Sequence, residues 1–409
     1  MSLRESDLIY DWNQVGEIKP ARGRIEVLDE TLRDGLQSPS VKSPTLDEKL
    51  QMLHCMVELG IDAVNLGLPG AGAHVVADVE RLAREIADQN LPITPNCAAR
   101  TVEGDIEHIA DISQRTGIAI EAACFVGSSP IRHFAESWDL DHVLSLAERA
   151  VSFAVGSGLP AMFVTEDTTR AQPDDLRRLY RTAIDAGASR VCIADTVGHA
   201  TPNGARRVVR FVREVVGEDI GIDWHGHRDR GMAVICALAA AEAGVDRLHG
   251  TALGIGERVG NTPLDLLLVN LSLLDWREQD LRTLPAYCEL VARTTGATLP
   301  DNYPVIGKDA FRTGTGVHAA AIVKARAKGD DWLADRIYSS VPASLIGRRQ
   351  VIEIGPMSGR SNVVWWLEQR GREADPDLVE AIFERAKRSK STLEEREIED
   401  EVARFEVGR

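Results

Sequence analysis

"ELGIDAVNL" at residues 58–66, "DAGASRVCI" at 185–193 and "EAGVDRLHG" at 242–250 are variations on one arrangement. Each leaves the end of an amphipathic segment, passes through a Gly (Gly60, Gly187, Gly244) and enters a short apolar run. Gly is the residue that most readily takes the left-handed conformation closing a helix, so each stretch reads as a helix end followed at once by a strand. Outward from these three, eight strand-like runs lie between about residue 24 and 275. They are RIEVLDE from Arg24, DAVNLGL from Asp62, LPITPNC from Leu91, IAIEAACF from Ile118, LPAMFVTE from Leu159, RVCIADT from Arg190, IGIDWHGH from Ile220 and DRLHGTA from Asp246. The intervening segments, such as TLDEKLQMLHCMVELG, carry apolar residues at three- and four-residue intervals, as helices do. Eight βα units in about 250 residues predict an α/β fold, a (β/α)8 TIM barrel. An open doubly wound sheet would place a Gly-rich dinucleotide loop behind an early strand, and TLRDG stands there instead.

From about residue 276 the pattern becomes helical, in LPAYCELVARTTG and GVHAAAIVKARAKG, around the Gly-, Pro- and Ser-rich IGPMSGRSN. The expected organisation is an N-terminal extension (1–23), a catalytic barrel (24–275) and a C-terminal helical subdomain region (276–409). The last 25 residues are dense in charge and read as a solvated helix. Among 409 residues, 44% are hydrophobic and 27% charged, which suits a globular protein. A net charge of -16 opposes binding to nucleic acid or to an anionic membrane surface. No apolar run approaches the roughly 20 residues that span a bilayer, and the N-terminus lacks a secretory layout, so a cytoplasmic location is expected. Six cysteines without C-x-x-C spacing read as buried reduced thiols.

In such a barrel the chemistry gathers at the C-terminal ends of the strands. Strand 1 delivers Arg33 and Asp34, strand 5 Glu166 and Asp167, strand 6 Asp195 and Thr196, strand 7 His225 and His227. The loop after strand 8 carries Glu257, Arg258 and Asn261. Side chains two apart on a strand share a face, so the imidazoles of HGH can converge. Alone, H-x-H describes a hydrogen-bonded pair as well as a metal site. With a carboxylate such as Asp34 at the same mouth, it describes a nitrogen and oxygen site for a divalent metal. Asn261 either adds a neutral oxygen ligand or stabilises its loop. Arg33 either stabilises negative charge on a substrate oxygen or pairs with Glu30 or Glu166. The loop GIGERVG is a weak phosphate-binding signal, since it is not a true G-x-G-x-x-G.

These pieces resemble a family of metal-dependent acyl-CoA condensing and cleaving barrels. The family includes 2-isopropylmalate synthase, homocitrate synthase, citramalate synthase and 3-hydroxy-3-methylglutaryl-CoA (HMG-CoA) lyase. The resemblance rests on DETLRDGLQ, FVTEDTTR, IADTVGHATP, HGHRDRGMAVICALAAAEAGVDRLHGT and GIGERVGN, and runs from about residue 24 to at least 365. KDAFRTGTGVHAA and YSSVPASLIGRRQVIEIGPMSGRSNV are similar to the synthase branch, whereas the reactive cysteine of the lyase has no counterpart, Cys288 standing in a helix-like stretch. The resemblance implies a divalent metal (Mg, Mn or Zn) held by Asp34, His225, His227 and Asn261. It implies acetyl-CoA as co-substrate, a 2-oxo acid acceptor and Arg33 polarising its ketone. Thr196 then contacts the acceptor carboxylate, and His318 with Glu166 and Tyr338 manages the methyl proton of acetyl-CoA. It further implies a domain-swapped homodimer in which His318 comes from the second copy; the C-terminal feedback regulatory domain of many 2-isopropylmalate synthases is not expected here.

One departure bears on the acceptor. Where the family has an acidic residue at the end of strand 2, this chain reads VNLGLPG, with Asn65. Small and apolar neighbours suit an apolar acceptor, while Arg132 in GSSPIRHF could read a distal carboxylate as in homocitrate synthase. The expected activity is 2-isopropylmalate synthase-like condensation, with homocitrate or citramalate synthesis, or acyl-CoA cleavage, as alternatives.

Overall fold

The computed structural model describes residues 5–14 and 19–407, so the expected N-terminal extension lies partly outside the described residues. The described chain divides into two compact units. One holds the residues up to Gln279 together with Ala286–Ala297, and the other holds Asp280–Pro285 with the residues from Thr298 onward.

In the first unit, β1 (Glu26–Asp29), β2 (Ala63–Asn65), β3 (Thr94–Arg100), β4 (Glu121–Gly127), β5 (Ala161–Glu166), β6 (Arg190–Asp195), β7 (Gly221–Gly226) and β8 (Arg247–Gly250) close into a barrel in chain order. Every pairing is parallel, and the ring is sealed where β1 meets β8, with Leu28 opposite His249 and Asp29 opposite Gly250. Each of the eight expected runs supplies one strand of this TIM barrel. The third strand starts later than its run, because the Leu91 N–H still bonds the Ile86 carbonyl and residues 91–93 complete the preceding helix end.

The helices are α1 (Glu5–Leu8), α2 (Leu46–Glu58), α3 (Ala73–Asp88), α4 (Glu103–Thr116), α5 (Pro130–Glu136), α6 (Leu140–Gly156), α7 (Pro173–Asp185), α8 (Pro202–Val216), α9 (Ala233–Ala243), α10 (Leu264–Leu273) and α11 (Leu284–Thr295). Local chemistry sets their ends. Thr45 caps α2 by accepting from the Glu48 amide while the Glu48 carboxylate accepts the Thr45 N–H. Gly244, at φ +114°, closes α9 by donating to the Ala240 carbonyl, so that β8 can begin three residues later. Facing side chains such as Met52, Leu53 and Met56 of α2 are wholly buried, each contributing roughly 1.5–3 kcal/mol on leaving water.

In the second unit, β9 (Arg312–Thr313) pairs in parallel with β10 (Val351–Ile352) beside α12 (Gly316–Ala327), α13 (Asp331–Arg336), α14 (Arg360–Glu368), α15 (Pro376–Arg388) and α16 (Glu395–Val407). Ala319, Ile322, Ala325, Ala334 and Ile352 form one small core. A second contains Val363, Leu367, Ile382, Ile398 and Val402. The charged C-terminal run is therefore not a wholly solvated helix: α16 exposes its acidic side and buries Ile398 and Val402. The apolar stripe of α16 is only one residue wide per turn, which is why its charge dominates the reading from sequence.

Candidate active site

Strand alternation sends every second side chain into the barrel, and on β7, β8 and β4 those positions hold charge. Asp223 and His225 alternate on β7, Arg247 and His249 on β8, and all are buried with Glu121 of β4. Arg247 Nε donates to Asp223 Oδ2 at 2.6 Å and its Nη2 to Glu121 Oε2 at 2.6 Å. Arg190 Nη1 donates to Asp223 Oδ1 at 2.7 Å, and Asn96 Nδ2 to Glu121 at 2.7 Å. Each buried charge thus has an opposite partner, the condition under which ions persist in a low-dielectric interior.

Above this floor, ligand atoms of Asp34, His225 and His227 lie within 4.8 Å of one another. Asp34 Oδ2 stands 3.4 Å from His225 Nε2 and 3.9 Å from His227 Nε2, and the two Nε2 atoms are 3.3 Å apart. Two imidazole nitrogens aimed at each other cannot both donate, so the pair calls for a shared proton or a cation. Burial and the neighbouring His225 push the His227 imidazole down to about 4, which leaves it neutral near pH 7, the ligating form. Burial works against ionising Asp34, and the Arg33 guanidinium with the two imidazoles outweighs it, holding the carboxyl well below its ordinary range. This donor set fits a divalent metal with open positions. Asn261 Nδ2 donates to Asp34 Oδ1 at 2.9 Å, while its Oδ1 is buried without a hydrogen-bond partner. Rotation of that amide would turn the neutral oxygen toward Asp34 and the imidazoles.

Arg33 follows β1 through a one-turn bend and pairs with Glu30, one of the two carboxylates expected for it, rather than with Glu166. Its Nε donates to Glu30 Oε2 at 2.9 Å, its Nη2 stands 2.7 Å from the same oxygen as an ion pair, and its Nη1 donates to Asp34 Oδ2 at 3.1 Å. Like Asp34, it also lines a cavity of about 240 Å³ at the barrel mouth. One wall is polar, with Glu30, His225, His227 and His249, and the opposite wall is apolar, with Leu68, Ala98, Ala123, Phe125, Met162 and Val164. Asn65, Glu166 and Thr196 also line it. Thr196 Oγ1 accepts from the Asp167 amide at 2.8 Å. Asn65 Oδ1 accepts from the Gly67 amide at 3.2 Å.

Arg132 is not a lining residue. It pairs with Glu136 at 3.1 Å and stands 3.9 Å from Glu166. His318 and Tyr338 belong to the second unit, where their rings stack at 4.0 Å and both are exposed. Of the cysteines, all free, Cys288 is sealed inside α11 and Cys192 lines the cavity with its thiol pushed far up by burial. Sequence reasoning missed Asp223, Arg247 and His249. Counting back two residues from His225 and reading DRLHG as a strand with both charges on one face would have found them.

The profile of the HMGL-like family matches residues 24–291, nearly the whole first unit. The chain belongs to the HMGL-like family. It is 36% identical over 366 residues to a homocitrate synthase of Methanopyrus kandleri, covering 88% of this chain and 86% of that one. To a homocitrate synthase of Pyrococcus abyssi it is 30% identical, covering 89% and 95%. To a 2-isopropylmalate synthase of the same organism it is 30% identical, covering 89% and 74%. An HMG-CoA lyase from Bacillus subtilis superposes with a TM-score of 0.58 at 19% identity, covering 69% of this chain and 97% of that one, and so shares the fold. Its relatives set this HMGL-like protein on the synthase branch. No helix among the described residues is long and apolar enough to cross a membrane.

Proposed function

We propose that the protein condenses acetyl-CoA with a 2-oxo acid and releases CoA, giving a 2-alkylmalate-type product. The observation that carries this reading is the Asp34, His225 and His227 cluster beside Arg33 on one wall of the cavity at the barrel mouth. A divalent metal (Mg, Mn or Zn), when bound, supplies Lewis-acid polarisation of the acceptor's keto group. The residues do the rest. A base among Glu166, His318 and Tyr338 takes the methyl proton, the methyl carbon bonds to the keto carbon, and the keto oxygen receives the displaced electron pair. Arg33 stabilises that oxygen until it is protonated, and Thr196 engages the acceptor carboxylate. Water then cleaves the thioester and CoA leaves as a free thiol. His318 and Tyr338 are supplied by a second copy in a domain-swapped homodimer in the cytoplasm.

Supporting an apolar acceptor, as in 2-isopropylmalate synthesis, is the wall from Leu68 to Val164, whose lining side chains are apolar. Arg132, the candidate reader of such a carboxylate, is engaged by Glu136 and lies outside the lining. Favouring a homocitrate-like acceptor is the 36% identity to the Methanopyrus enzyme. Cleavage of an acyl-CoA is the weaker alternative, since Cys288 is buried in α11. Metal-loaded protein is incubated with acetyl-CoA and 2-oxoisovalerate, pyruvate, 2-oxoglutarate or phenylpyruvate, and free thiol is followed. Release is expected with 2-oxoisovalerate above the others, and no acid-dependent release with any of them removes the reading.

A further inference from the structure

A line of buried polar contacts runs from the barrel floor to Arg33 and uses two residues with no assigned part in the chemistry. His249 Nε2 lies 2.8 Å from Asp223 Oδ2, and its Nδ1 lies 3.3 Å from Glu30 Oε1, within ion-pair reach. Glu30 spends its other oxygen on Nε and Nη2 of Arg33. The seam of the barrel brings these groups together: the Glu30 N–H bonds the Gly250 carbonyl at 2.8 Å, so Glu30 sits just past β1 beside His249 on β8. Glu30, His249 and Asp223 are nearly or wholly buried.

The charges are arranged to last. Burial works against a charged His249, and the hydrogen bond to Asp223 with the Glu30 carboxylate outweighs it, raising its affinity for a proton. Burial likewise opposes ionised Glu30, and Arg33 with His249 overcomes it, bringing the carboxyl down to about 2. The line therefore sets the His249 imidazole between two carboxylates, the second of which holds Arg33. An arginine side chain has four rotatable bonds, and a group that must meet one developing charge gains most when it is already fixed. Glu30 takes the Nε hydrogen and holds Nη2 by charge, and Asp34 takes one hydrogen on Nη1. The remaining N–H groups of the terminal nitrogens are left for the cavity that Arg33 lines.

We propose that Glu30 and His249 are positioning residues that aim the Arg33 guanidinium into the cavity and anchor it, through Asp223, to the ion network of the barrel floor. The role of Arg33 on substrate rests on the condensing activity proposed above, whereas its placement by Glu30 does not. Two measurements separate these. In a crystal structure of Glu30→Gln, Arg33 is expected to leave its position or split between rotamers. An unmoved guanidinium overturns the proposal whatever the activity.

In steady-state assays Glu30→Gln is expected to lower kcat about 10- to 100-fold, with KM for acetyl-CoA and bound metal unchanged. His249→Gln is expected to act in the same direction by less, and Glu30→Asp to recover part of the loss. In an Arg33→Ala background Glu30→Gln should cost nothing further, because the group it aims is gone. An equal additional loss in that background, or a loss that follows metal content or melting temperature, overturns the positioning role. If the native enzyme shows no thiol release, the condensing activity fails and the crystal structure still decides the placement.

Discussion

Asp29 shows how one side chain on the first strand reports on the layer between the barrel and its helices. It is wholly buried and accepts from the Thr31 amide at 2.7 Å and the Tyr287 hydroxyl at 2.6 Å. Burial lifts its carboxyl from an ordinary value of 3.8 to about 6, with the Thr31 and Tyr287 bonds holding it from rising further. The folded state then binds a proton between about pH 4 and 6 that the unfolded chain has released. Stability from this group is full below that window and is lost as pH rises through about 6. Asp29→Asn keeps an acceptor for Thr31 and removes the titration. The mutant is expected to lack a loss of roughly 1–3 kcal/mol that the native protein shows between pH 4 and 7, read from urea midpoints. Parallel pH curves for the two would refute it. Asp34, His225 and His227 were legible because their types and spacing are unusual at strand ends. His249 and Arg247 were not, because a charged residue inside a short apolar strand reads as its exposed face until the register is known.

Among the elements, the loop after β8 is the most tightly drawn. Leu253 and Arg258 take left-handed conformations at φ +58° and +56° that only their surroundings can hold, Arg258 being clamped by Asp229 and the Thr196 carbonyl. Gly260, at φ +105°, lies so close to Gly254 that an added Cβ would fall 1.8 Å from its carbonyl oxygen. That same oxygen accepts the Asn261 N–H, so pushing it aside also moves the amide that contacts Asp34. Gly260→Ala is expected to destabilise by about 2–4 kcal/mol and to lower metal retention on dialysis. An unchanged melting temperature with full metal content would show that the loop yields there. The eight strands were legible because Gly-closed helices repeat the same boundary. This loop was legible only as punctuation, since glycine content reveals that a turn is tight and not which atoms it crowds.

For the whole molecule, the first unit carries Asp34 and the second His318, and the proposed swap makes each site from two copies. Mixing Asp34→Ala with His318→Ala subunits by refolding should restore roughly a quarter of native thiol release, since half the pairs are mixed and each holds one intact set. Recovery no greater than either mutant alone would place both residues in one chain's site. The architecture also imposes an order in time. Asn261 and Asp34, 227 residues apart, meet only because β8 docks on β1. A chain emerging from the ribosome holds a carboxylate first, two imidazoles about 190 residues later, and the amide last. Closing so long a loop is costly in entropy until the intervening units have packed. The proposed ligand set is thus incomplete in the nascent protein until its barrel is all but finished.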